Sequence, residues 1–344
     1  MKKSLTGIWK FKSTTEDEWL KATVPGCNYT DLLNLGKIPD PFDGINEKEV
    51  FWVALMDWEY TREFTIEKSE LDYEKITLIC DMLDTVCDIL INNVLVGKGK
   101  NAHVQYIFDI KKYLVEGENT ICIVFYSPVK YINEKQAKEK CPKNWNGMDG
   151  IQHIRKPQFH FGWDWGPVLP PSGITKNIEI EFTKIATIKE LTINQTHEDK
   201  KVTLLISARI NNFTDGILGY ELEIIQPSRP PIIFSGECGS TMATTVNIEN
   251  PELWWTNDLS GKAEQPLYIV RLTIAKEGIT ADKSEKTIGL RTLILNRERD
   301  RYGSNFQFVL NGVPLFVKGA NWIPPDSFID RFSSEKLNYY INAA

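Results

Sequence analysis

Apolar residues recur at every second position in short runs along most of this chain, and turn residues break the runs at short intervals. A period of two puts alternate side chains on opposite faces of a strand, so this pattern selects sheets over helices. Ile76, Leu78 and Cys80 alternate with Thr77 and Ile79, and Ile121, Ile123 and Phe125 alternate with Cys122, Val124 and Tyr126. Val86 to Val96 surrounds Asn92-Asn93, which reads as a two-residue hairpin turn because Asn tolerates positive φ. Ile178, Ile180 and Phe182 close this first region on a strand. Many short strands with regular turns predict a β-sandwich.

A second strand set follows. Val202, Leu204, Ile206 and Ala208 share one strand face, and Tyr220, Leu222 and Ile224 share another. Pro227 to Pro231 is a loop, since proline cannot donate to a ladder. Leu267 to Ile274 reads as a further apolar strand, interrupted by Arg271. This stretch has about the length of an immunoglobulin-like sandwich but lacks its Cys…Trp…Cys spacing. The tail is different. Phe306, Phe308 and Leu310 run up to Asn311-Gly312, a strong hairpin signal, and Val313, Leu315 and Val317 return. After the loop at Asn321 to Pro325, Ser333 or Ser334 caps a predicted helix that runs to Ala344. A strand, a loop and a helix look like the first unit of a β/α array, which needs neighbours to bury its faces. Helical signal elsewhere is weak, at Thr30–Leu35 and in the Lys/Glu-rich Asn133–Lys140.

Composition removes several function classes. The 344 residues carry a net charge of −6, which argues against a broad nucleic-acid footprint, since phosphate binding wants a basic face. No run approaches the ~18 apolar residues of a membrane span, and the N-terminus has no apolar signal core. The chain therefore reads as cytoplasmic, or as exported with its signal removed. The six cysteines are scattered without a C-x-x-C pair and the four histidines show no metal spacing, so neither a disulfide framework nor a metal site is expected. No G-x-S-x-G elbow, P-loop or strand-borne G-x-G-x-x-G occurs, and no cofactor is implied.

The densest chemical feature is Phe159-His160-Phe161-Gly162-Trp163-Asp164-Trp165-Gly166-Pro167. Indole faces stack on the C–H face of a sugar, and a carboxylate accepts hydrogen bonds from two adjacent hydroxyls. That is the inventory of a carbohydrate pocket; the alternative is a tryptophan-rich core in which Asp164 caps a turn. Asn144-Trp145-Asn146-Gly147-Met148 is a second aromatic–amide cluster. Arg155 and Lys156 read as a solvated strand or as substrate contacts. Asn321 and Trp322 lie just past a strand end, where barrel enzymes place active-site groups. No pair of acidic residues stands out as catalytic by spacing.

These residues carry a resemblance that covers the whole chain. Asp40-Pro41-Phe42-Asp43-Gly44-Ile45-Asn46, Leu83-Asp84-Thr85-Val86-Cys87-Asp88, and above all Arg155-Lys156-Pro157-Gln158 leading into Phe161–Pro167 resemble the β-mannosidases of glycoside hydrolase family 2. So do Pro251-Glu252-Leu253-Trp254-Trp255, Ile288-Gly289-Leu290-Arg291 and Lys318-Gly319-Ala320-Asn321-Trp322. Asn92-Asn93 stands where Asn-Gly is common, and Thr256 where proline is usual. The resemblance implies an all-β chain in the part present. A jelly-roll sugar-binding-like domain (1–183) precedes an Ig-like β-sandwich (184–292), and 293–344 forms the truncated start of a (β/α)8 catalytic barrel. It further implies a retaining β-mannosidase acting on terminal β-D-mannose of oligosaccharides, with nucleophile and acid/base glutamates beyond residue 344 and an inactive fragment here. Trp163 and Asp164 would bind substrate, with Asn321 and Trp322 as lesser contacts. A homodimer stays open, as do a non-catalytic carbohydrate-binding protein and another family 2 glycosidase such as a β-galactosidase.

Overall fold

A computed structural model describes residues 1–144, 146–260 and 265–344. Trp145 of the second aromatic cluster lies outside the described residues. The chain divides into two compact units, Met1–Phe182 with Trp322–Ala344, and Thr183–Asn321.

The first unit is a jelly-roll sandwich. One sheet has the strand order Leu20–Val24, Gly7–Ser13, Trp58–Ile66, Gly117–Phe125, Cys87–Ile91, Val94–Gly99. The other runs Lys2–Ser4, Ile178–Thr183, Lys75–Cys80, Tyr106–Asp109. The expected alternation is realised on Gly117–Phe125, where Ile121, Ile123 and Phe125 are buried. Lys75–Cys80 departs from it: Thr77 and Ile79 are buried as well, so this strand is covered on both faces. The two sheets share one core, in which Phe11 stacks on Trp58 and Tyr60 at 5.5 and 5.3 Å. Asn92 and Asn93 adopt φ of 49° and 64° between paired Ile91 and Val94. Positive φ at both central positions lets the strand twist continue through the turn.

Helical segments are short. Asn28–Asn34 and Pro128–Lys138 form near the two weak signals, the second capped by Ser127 through Lys130 N–H at 3.0 Å. Residues 322–344 belong to this unit because Phe328 is fully buried in it. Its ring stacks on Tyr29 at 5.5 Å and meets Phe42 edge-on at 5.7 Å. The terminal helix Ser334–Ala343 begins at Ser333, whose hydroxyl accepts from Lys336 N–H.

The second unit is an Ig-like sandwich of the sheets Ala186–Glu198, Lys201–Asn212, Thr241–Glu249 and Ile232–Cys238, Leu218–Ile225, Tyr268–Lys276, Ile279–Ile288. Val202, Leu204, Ile206 and Ala208 point into its core together with Leu222, Ile224, Val270 and Leu272. Leu267 lies outside the strand and is exposed. Beyond it, Gln307–Leu310 and Val313–Leu315 form the hairpin expected at Asn311-Gly312, and Leu293–Asn296 adds a third strand. These strands and the terminal helix are the opening elements of a (β/α)8 barrel. Among the described residues no helix is long and apolar enough to cross a membrane.

Candidate functional site

The aromatic motif folds into a small hairpin. Phe161–Trp163 pairs with Gly166–Val168, in register Phe161 to Val168 and Trp163 to Gly166, leaving Asp164-Trp165 as the turn. Its base is buried through Phe161, while Trp163 and Trp165 are 38% and 39% exposed. Gly162 makes the approach of the two arms possible. It has φ +96°, and a Cβ there would lie 2.8 Å from a Val168 methyl. Asp164 is exposed, and among the described residues no donor meets its carboxylate. The tip thus presents a carboxylate between two indoles, groups that can accept hydroxyl donors and offer flat apolar faces. Trp165 leans toward Phe159, centroids 6.0 Å apart.

Two neighbouring segments hold the hairpin in place. Met148 N–H donates to Phe161 O at 3.1 Å, and Gly147 packs so closely that a Cβ would lie 2.9 Å from Gly162 O. Gly147-Met148 and the aromatic motif are therefore one structural region. On the other side, Val168 N–H donates to Glu47 Oε2 at 3.4 Å.

Behind the hairpin is a polar cluster that sequence reasoning missed. Lys156 is buried rather than solvated, and its ammonium pairs with Asp84, both side chains being fully enclosed. The same ammonium donates to Pro171 O at 2.9 Å. Thr85 Oγ1 donates to the other Asp84 oxygen. His160 is also enclosed, its Nδ1 3.9 Å from Asp84 and so beyond hydrogen-bond reach. Burial, then the neighbouring Lys156 charge, hold the His160 imidazole well below its ordinary range, so it is neutral. The Ser327 backbone beside the ring acts weakly in the opposite sense. Burial also lowers the Lys156 ammonium, and the Asp84 carboxylate works against that shift. The sequence offered little signal for this: Asp84 stands between Asp81 and Asp88, and nothing local marks it as the carboxylate that is buried and therefore needs a partner.

Trp322 is exposed and lines a groove of about 770 Å³ with Phe159, Pro324, Ile329, Phe332 and Leu337. Trp163 and Asp164 are not among the described residues lining it. Asn321 is exposed and falls in the second unit, one residue before the division. Among the described residues, no group of three His, Cys, Asp or Glu is placed to hold a metal ion.

Comparison with known proteins places this architecture. Residues 9–176 match the galactose-binding domain-like model of glycosyl hydrolase 2, and residues 177–291 match glycosyl hydrolases family 2. The chain belongs to glycoside hydrolase family 2. Within that family, β-mannosidase of Capra hircus is 32% identical over 362 aligned residues, covering 99% of this chain and 40% of the relative. The crystal structure of a β-D-mannosidase from Dictyoglomus thermophilum superposes with a TM-score of 0.90 at 33% identity, over 99% of this chain and 42% of that one. An exo-chitosanase from Amycolatopsis orientalis shares the fold at TM-score 0.71 and 18% identity, over 99% of this chain and 40% of that one. This family 2 chain spans about 40% of the length of the curated relatives it matches.

Proposed function

We propose that this chain is the sugar-facing N-terminal part of a retaining β-mannosidase, which releases terminal non-reducing β-D-mannose from oligosaccharides. One observation carries the reading. A carboxylate flanked by two exposed indoles stands at the tip of a braced hairpin, on a framework 33% identical to a β-D-mannosidase. Asp164 accepts hydrogen bonds from two adjacent ring hydroxyls, and Trp163 forms a wall against the sugar face. Trp322 and Asn321 serve as further contacts. The nucleophile and acid/base are carboxyl groups ~5–5.5 Å apart, and we place them beyond residue 344. Domains of 1–183, 184–292 and 293–344 go with this reading, as does a cytoplasmic enzyme that needs no cofactor.

The test is hydrolysis of an aryl β-mannoside by the longer enzyme that includes this chain. Asp164→Ala removes a charged hydrogen bond of about 1.5–3 kcal/mol, so kcat/KM falls roughly 10- to 150-fold. Unchanged kinetics would remove Asp164 from the site.

A further inference from the structure

We infer that Asp84 and Lys156, with His160 packed beside them, are positioning residues that set where the Trp163–Asp164 tip stands. This rests on the reading of that tip as the sugar-contacting wall. The basis is how the chain leaves and returns to one carboxylate. Asp84 sits on the short strand Leu83–Asp84, which pairs with Gly173–Ile174, Asp84 opposite Gly173. Lys156, before the hairpin, meets the same Asp84 carboxylate and also holds Pro171 O, after the hairpin. His160 O accepts from Leu169 N–H at 2.9 Å, closing the base of the hairpin, while the His160 ring faces Asp84. Everything between Lys156 and Gly173 is thus an excursion with both ends fixed on one buried ion pair.

Apolar contacts would stabilise such a base, but they are non-directional and tolerate sliding. A fully enclosed lysine has no such latitude, because any displacement leaves a charge without water and without a partner. The pair therefore limits the hairpin to one placement. The same cluster touches the tail, since the Ser327 backbone lies beside His160 and Phe159 lines the Trp322 groove.

The test uses the 344-residue chain labelled with 5-fluorotryptophan, its signals assigned through Trp163→Phe and Trp165→Phe. The double variant Asp84→Asn/Lys156→Met removes both charges and keeps approximate shape. The expected result is that the Trp163 and Trp165 signals shift and broaden while those of the core residues Trp9 and Trp58 stay in place. Unmoved Trp163 and Trp165 signals would overturn the inference. So would equal movement of Trp9 and Trp58, which would make the pair a general stabiliser. If the double variant does not fold, Thr85→Val removes one donor from Asp84 and leaves the pair intact. It should produce the same selective shift at smaller amplitude, and no shift again overturns the inference. In the longer enzyme a displaced tip costs about 100-fold in aryl β-mannoside kcat/KM. If Asp164→Ala leaves turnover intact while the double variant still moves Trp163, the anchor stands and the substrate role falls.

Discussion

Asp31 makes the stability of the first sandwich fall as pH rises. It is 3% exposed on the helix Asn28–Asn34, where Oδ1 accepts from Thr23 N–H at 2.8 Å and Oδ2 from Tyr60 OH at 3.2 Å. Burial pushes its carboxyl up to about 7, more than those two donors lower it, and the Asp330 carboxylate adds like-charge repulsion. The other groups facing it do not relieve this. The Cys27 thiol and Tyr60 phenol are themselves raised by burial and stay neutral, Asp330 is raised too, and Arg331 is bonded to Asp326 at 3.0 Å. An exposed Asp titrates near 3.9, so between about pH 4 and pH 7 the folded chain holds more protons than the unfolded one. Stability from Asp31 is therefore full at the acid end of that window and is lost as pH rises through it. The gap of about three pH units, at 1.36 kcal/mol each, is worth about 4 kcal/mol. Asp31→Asn stays neutral and can still accept from Thr23. Its stability relative to the parent should rise by about 4 kcal/mol from about pH 4 to about pH 8. The lowered carboxyls of Asp109 and Glu335 act equally in both proteins and cancel in that difference. Urea denaturation of both proteins at each pH, followed by tryptophan fluorescence to which the buried Trp9 and Trp58 contribute, measures the difference. A pH-independent difference would refute the reasoning, because it would mean that Asp31 ionises like an exposed carboxylate.

Two further outcomes follow from packing. Phe328→Ala empties the slot between Tyr29 and Phe42 and should cost about 3–5 kcal/mol, releasing residues 322–344 from the first unit. Trypsin should then cut faster at Arg331 and Lys336, and an unchanged digestion pattern would count against Phe328 as the tether. Gly162→Ala forces a side chain into a left-handed position against Val168 at a cost of about 1–3 kcal/mol. Amide exchange in residues 161–168 should quicken about tenfold for each 1.4 kcal/mol, and parent-like protection would show that the hairpin absorbs the methyl.

What the sequence determined by itself is what depends on near neighbours. Alternation marked the strands through Ile121–Phe125 and Val202–Ala208, because the side-chain period is a local property of extended backbone. Asn92-Asn93 and Asn311-Gly312 marked their turns, because positive φ is a property of the residues themselves. The tip Trp163-Asp164-Trp165 was legible for the same reason, as three side chains on one short turn. Only the tertiary structure decided what lies behind it. Lys156 read as solvated because nothing near it in sequence could pair its charge; Asp84, brought alongside by sheet pairing, is what lets it be buried. Phe328 gave no periodic signal, and its place between Tyr29 and Phe42 exists only once the sandwich has closed. Short-range backbone preferences are written residue by residue. Burial of a charge or a ring depends on partners far away in the chain, and those meet only in the folded protein.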